Sequence, residues 1–107
     1  MKLTVLTDNN TYIDQYYFGE PALCFYIEEG DKTVLLDTGY SDIFIKNAES
    51  LGKKLSAVDY IVFSHGHDDH TKGMKYLEKA DVPNAKVVAH PECFVPKYVG
   101  DLFVGSP

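Results

Sequence analysis

Three of the chain's four histidines fall within six consecutive residues, His65-Gly66-His67-Asp68-Asp69-His70. Imidazole nitrogen and carboxylate oxygen together suit zinc, and also iron or manganese. In an extended segment, side chains two residues apart point the same way, with their bases roughly 6–7 Å apart. His65 and His67 can therefore converge on one cation, whereas a helix would splay them. Asp69 and His70 come where the chain bends into a helix and can turn toward a second cation. Gly66 is expected to give the backbone freedom to fold around the ion. A metal held here would lower the pKa of a bound water to about 7, giving hydroxide at neutral pH. Two such ions about 3.5–4 Å apart would clamp the attacking hydroxide and the polarised substrate oxygen.

These donors need a strand before them and a helix after them. Residues 58–63 read as a buried strand that ends at the motif, and a helix is expected from Thr71 or Lys72 to about Lys79. Asp81-Val82-Pro83-Asn84 breaks it. Upstream, residues 2–7 alternate, with Leu3, Val5 and Thr7 expected on one face. Residues 11–21 form a long aromatic loop, in which Tyr16, Tyr17 and Phe18 are candidates for a substrate lid or for packing. Two apolar runs, 22–28 and 32–37, joined by Glu29-Gly30-Asp31, predict a hairpin. Ser41 can cap a helix over 42–51, with Phe44, Ala48 and Leu51 on one face and Gly52 past its end. A further strand is expected at 86–89, then a short helix between Pro91 and Pro96. The order of three strands, helix, strand, helix, strand is that of an α/β layered arrangement with some antiparallel pairing.

At 107 residues the chain suits one domain, and 45% hydrophobic with 24% charged residues is a globular composition. Ten basic against 16 acidic side chains leave a net charge of −6, which disfavours nucleic acid as a partner. Cys24 and Cys93 are far apart and read as buried small hydrophobes in a reducing compartment. Residues 1–5 run into a polar turn rather than a signal peptide, and no apolar stretch is long enough to span a bilayer. The expectation is a cytoplasmic protein without a membrane partner.

The His-x-His-x-Asp-His string resembles the signature of the metallo-β-lactamase superfamily and matches it without substitution. Leu36-Asp37-Thr38-Gly39 is similar to the family's earlier strand-end aspartate. The stretches at Asp8-Asn9, Gly19-Glu20 and His90-Pro91 resemble a subgroup of metal-dependent hydrolases similar to dihydropterin-ribofuranosylaminobenzene-phosphate synthase. The resemblance implies that His65 and His67 bind a first metal, Asp69 and His70 a second, and that Asp69 orients the attacking water. Asp37 would support the ligand loop through hydrogen bonds, or else be an ordinary strand-end aspartate. Asp68 occupies a variable position and reads as solvated or helix-capping. His67 stands where flavin-linked di-iron members carry glutamate, so a redox di-iron site is disfavoured. His90 is either a satisfied strand-end histidine or a residue at the pocket rim.

Complete members of that family add a third histidine, a bridging aspartate and a final histidine after the motif. Here His90 is the one histidine that follows, and neither it nor Asp101 lies in a matching motif. The family's αββα sandwich also has two sheets, and this chain holds enough elements for one mixed sheet with helices on one face. Residues 1–107 are thus expected to form a single, incomplete domain, the N-terminal half of such a sandwich. Its bare sheet face would be covered by a second copy or by a separate C-terminal half. The expected activity is metal-dependent hydrolysis of an ester, lactone or phosphoester in a small-molecule substrate, with zinc at two sites in a complete member. The alternative is a catalytically impaired metal-binding half-domain that serves assembly.

Overall fold

The computed structural model describes residues 1–11, 17–80, 82 and 85–107. Tyr16 of the expected lid lies outside the described residues, as do Asp81, Pro83 and Asn84 of the expected helix break. Five strands make one sheet in sequence order: β1 (Lys2–Thr7), β2 (Cys24–Glu29), β3 (Lys32–Leu36), β4 (Tyr60–Val62) and β5 (Lys86–Val88). β1, β2 and β3 pair antiparallel, while β3, β4 and β5 run parallel. The class is α/β with a mixed sheet. Parallel neighbours need crossovers, and these are α1 (Ile43–Ser50) between β3 and β4, then α2 (Asp68–Thr71) and α3 (Leu77–Ala80) between β4 and β5.

Alternation along the central strands sorts their side chains into two faces. Cys24, Tyr26, Leu35 and Ile61 are buried and share one core with Phe44 and Ala48 of α1, Leu55, Val58 and Phe63. The opposite face carries Phe25 and Ile27 of β2 beside Leu36 and Val34 of β3, which continue onto Val62 and Tyr60 of β4. That second face is apolar and only half covered.

β1 departs from the expected alternation. Its register against β2 shifts between Val5 and Thr7, so Leu6 is an extra residue and the pleat reverses there. Leu6 and Thr7 are buried, while Leu3 and Val5, expected to share a face with Thr7, lie on the second face at 46% and 48% exposure. α1 starts one residue later than expected, so Ser41 precedes the cap position instead of occupying it. Its Oγ accepts from the Ile43 amide at 3.3 Å, while Asp42 occupies the cap position without a side-chain cap bond.

The segment after the motif is not one helix. It begins earlier than expected, at Asp68, and passes through a 3-10 stretch (Lys72–Tyr76) before α3. The reason lies in where its backbone groups bond. The Gly73 amide donates to the Gly39 carbonyl, the Asp69 carbonyl accepts from Leu23, and the His70 carbonyl accepts from the Thr38 amide. Each of these replaces a rung of an α-helical ladder with a bond to a neighbouring loop. Downstream, a 3-10 turn (Pro91–Phe94) precedes an unexpected hairpin of β6 (Tyr98–Val99) and β7 (Leu102–Phe103).

Candidate metal centre

Parallel strands β3 and β4 end side by side, and the loops beyond their C-terminal ends build the site. Asp37 follows β3 directly. It is fully buried and sits at φ +59, a left-handed conformation that an aspartate tolerates better than most residues. Its amide donates to the Val62 carbonyl at 2.8 Å, tying the end of β3 to β4. Its carboxylate then accepts three bonds. Ser64 gives its amide to Oδ1 at 2.8 Å and its hydroxyl to Oδ2 at 2.6 Å, and His70 Nδ1 lies 2.8 Å from Oδ2.

This network assigns the tautomers of two imidazoles. Asp37 can only accept, so in the neutral ring His70 Nδ1 carries the proton and Nε2 keeps its lone pair. The single hydroxyl proton of Ser64 goes to Asp37, so the 2.9 Å contact between Ser64 Oγ and His65 Nδ1 requires the ring to donate. His65 Nε2 is then also free as a ligand atom. Both histidines present the same nitrogen, each braced from behind.

His65, Asp69 and His70 converge, each offering one ligand atom within 4.8 Å of the others. Asp69 Oδ2 lies 3.4 Å from His70 Nε2. With Nδ1 protonated, that contact sets an unprotonated nitrogen against a carboxylate, two acceptors face to face. A cation between them removes the conflict, and two imidazoles with a carboxylate are a zinc-type donor set. The residues fit a divalent metal.

The tightest grouping cuts across the two expected pairs. His67 is exposed, and its ring stands edge-on to that of His65 at 4.8 Å between centroids. Its carbonyl accepts from the amides of His70 and Thr71, which starts α2. His90 is occupied elsewhere: its Nδ1 accepts from the Glu92 amide at 3.2 Å and caps the 3-10 turn. Asp68 is half-exposed in the first turn of α2 and makes no side-chain cap bond; its Oδ2 accepts from the Tyr40 hydroxyl at 3.1 Å. That bond is the first cause of a raised Tyr40 pKa, followed by burial.

Gly66 has another role than the one expected. It is not among the glycines at positive φ. A Cβ there would stand 2.1 Å from the Cys93 carbonyl oxygen and 2.7 Å from Lys97 Nζ. The loop between the two histidines is therefore pressed against the turn that follows β5. Lys97 stiffens that turn by donating to the carbonyls of Glu92 and Val95 at 2.6 and 3.0 Å.

His65 is held below the ordinary 6.5 by burial first, then by the neighbouring His70 and His67. A neutral ring is the form that binds metal. Cys24 and Cys93 are buried free thiols. Burial, then the Asp37 and Glu20 carboxylates, push the Cys24 thiol far up. Ser64, Thr38 and Glu20 also serve the site, although the sequence alone gives none of them a role. Ser64 immediately precedes the motif and Thr38 lies in Asp-Thr-Gly, so adjacency was the available signal for both.

A sequence profile described as the metallo-beta-lactamase superfamily matches residues 17–104. A Methanocaldococcus jannaschii protein described as uncharacterized is 36% identical over 103 residues, covering 96% of this chain and 40% of the relative. The 7,8-dihydropterin-6-methyl-4-(beta-D-ribofuranosyl)-aminobenzene-5'-phosphate synthase of the same organism is 27% identical over 99 residues, covering 88% and 34%. A crystal structure described as a metal-dependent hydrolase of the beta-lactamase superfamily superposes with a TM-score of 0.80 at 30% identity. It covers 98% of this chain and 36% of its own. The chain thus spans about two fifths or less of each of these proteins.

Proposed function

The chain belongs to the metallo-β-lactamase superfamily, and from that premise we propose that it forms the metal-binding part of a metal-dependent hydrolase acting on an ester, lactone or phosphoester. The observation that carries this reading is the convergence of His65, Asp69 and His70, with the far nitrogen of each imidazole engaged by Asp37 or Ser64. A divalent ion bound there, zinc first and iron or manganese as alternatives, supplies Lewis acidity that activates water and polarises the bond to be broken.

The protein's own residues do the rest. His65 and His70 offer Nε2, fixed in one tautomer by their Nδ1 partners. Asp69, whose Oδ2 lies 3.4 Å from His70 Nε2, would orient the attacking water and accept its proton. Asp37 keeps His70 from turning and, through Ser64, reaches His65. His67, whose ring stands edge-on to that of His65, would complete the ligand set.

The test is metal content per purified chain, joined to hydrolysis of a chromogenic phosphodiester, a lactone and an ester. Stoichiometric metal with turnover, both lost in His65→Ala and His70→Ala, supports the enzyme. A second reading has its own observation, the half-covered apolar face of the sheet in a chain that spans 34–40% of its relatives. In it the chain is a metal-binding half-domain completed by a second copy or a separate C-terminal half. Weak metal and no turnover in a stable dimer would favour that reading. No helix among the described residues is long and apolar enough to cross a membrane. We further propose a cytoplasmic site of action.

A further inference from the structure

We infer that Glu20 is a positioning residue of the metal centre, acting through the turn at 39–41 that it clamps. The inference rests on the metal-centre reading above.

Glu20 lies in the connection before β2, and no ligand of the proposed centre is near it in sequence. Its Oε1 accepts from the amides of Tyr40 at 2.8 Å and Ser41 at 3.1 Å, and its Oε2 accepts from the Ser41 hydroxyl at 2.6 Å. Two successive amides aimed at one oxygen form a concavity suited to an anion, filled here by the chain's own carboxylate. Glu20 is itself anchored. Its amide donates to the Asp8 carbonyl at 3.1 Å and its carbonyl accepts from Ala22 at 2.7 Å. Space is shaped to the contact as well: a Cβ on Gly39, at φ +72, would lie 2.9 Å from Glu20 Oε1.

The clamped turn is the far end of the segment that orients His70. Thr38 holds the His70 carbonyl twice, by its amide at 2.8 Å and its hydroxyl at 3.1 Å. Gly39 accepts from the Gly73 amide at 2.9 Å, and Asp37 holds the imidazole. Asp37 keeps its left-handed backbone because both of its flanks are fixed, by β4 on one side and by the turn on the other. Removing the Glu20 carboxylate leaves two part-buried amides without acceptors and frees that second flank. The segment then relaxes, and His70 loses the orientation that aims Nε2 at the metal. Partners that orient a ligand from behind typically contribute about 10–100-fold in metal affinity. One step further out, about tenfold is expected.

The experiment measures zinc affinity by chelator competition and the visible absorption of the cobalt(II) form, in the unmodified protein and in Glu20→Ala, Glu20→Gln and Glu20→Asp. Glu20→Ala should bind zinc about tenfold more weakly, with shifted cobalt bands. Glu20→Gln keeps an acceptor for both amides and should recover most of the affinity, a rescue that a general loss of stability would not give. Glu20→Asp keeps the charge but withdraws it by one methylene, and should resemble Glu20→Ala. If Glu20→Ala does not fold, the aspartate and glutamine variants carry the comparison. Unmodified affinity and spectrum in Glu20→Ala or Glu20→Asp overturns the inference, as does a Glu20→Gln protein no better than either. A wild-type chain that binds neither metal overturns the metal-centre reading first, and this inference with it.

Discussion

Asp37 Oδ2 and His70 Nδ1 are 2.8 Å apart across 33 residues of chain, and the same carboxylate takes both donors of Ser64. One buried anion therefore sets the tautomer of His70 directly and that of His65 at one remove. An asparagine in this place has a single acceptor oxygen and brings an NH2 that must face one of the three donors. Asp37→Asn should lose about 10–100-fold in zinc affinity. It should also lower folding stability by about 1–3 kcal/mol, the usual cost of leaving buried donors unsatisfied. Chelator competition and urea denaturation of the metal-free protein measure the two effects separately. An unchanged zinc affinity would remove Asp37 from the site.

Gly66→Ala tests the contact between the motif loop and the turn after β5. The added methyl would overlap the Cys93 carbonyl oxygen, a backbone atom that cannot swing aside as a side-chain tip can. Overpacking of this kind costs about 1–3 kcal/mol. The loop and the turn must move apart, and the spacing between His65 and His67 moves with them. Lower thermal stability together with weaker metal binding is expected. Full stability would mean the two segments can separate freely.

Much of this arrangement was legible in the residue order, and the rest was not for identifiable reasons. The strand before the motif, the hairpin of β2 and β3, and α1 followed from alternation and turn chemistry that act within a few residues. The bulge at Val5 to Thr7 depends on how β1 meets β2, which alternation alone does not encode. The broken helix after His67 depends on Leu23, Thr38 and Gly39 competing for its backbone groups. Which histidines converge depends on Ser64 and Asp37, not on spacing. The β6–β7 hairpin did leave a signal: Gly100-Asp101 between Tyr98-Val99 and Leu102-Phe103 is a two-residue turn between apolar pairs. Glu20 stood in the Gly19-Glu20 stretch of the resemblance, but its part as a clamp was hidden because its partners lie 20 and 21 residues away.

The lowered pKa of His65 gives the metal-free protein a pH dependence of definite sign. Burial, then His70 and His67, hold the ring below the 6.5 it regains on unfolding. Between those two values the unfolded chain binds more protons, so stability rises with pH. The contribution is complete above about 6.5 and is lost as pH falls through the lowered value. Urea midpoints from pH 7.5 down to 5 should fall, and His65→Ala should flatten the slope. An equal slope in the variant would assign the effect to other groups. Metal affinity should weaken in the same direction, as protons compete for the same nitrogens.

The second face of the sheet gives the last expectation. Leu3 and Val5 of β1 stand opposite Ile27 and Phe25, and the rows continue through Val34 and Leu36 to Tyr60 and Val62. Neighbouring strands thus present matched apolar pairs across four strands, a continuity that favours a second layer over open water. The chain should elute in an assembly larger than one copy, and the association should strengthen with concentration if a second copy is the cover. Val34→Lys places a charge at the centre of this face while leaving the core of Leu35 and Phe44 untouched, so it should shift the assembly toward single chains without unfolding them. Sedimentation of both proteins decides the matter. A wild-type chain that stays monomeric at every concentration, with no bound partner, would show that this face tolerates water.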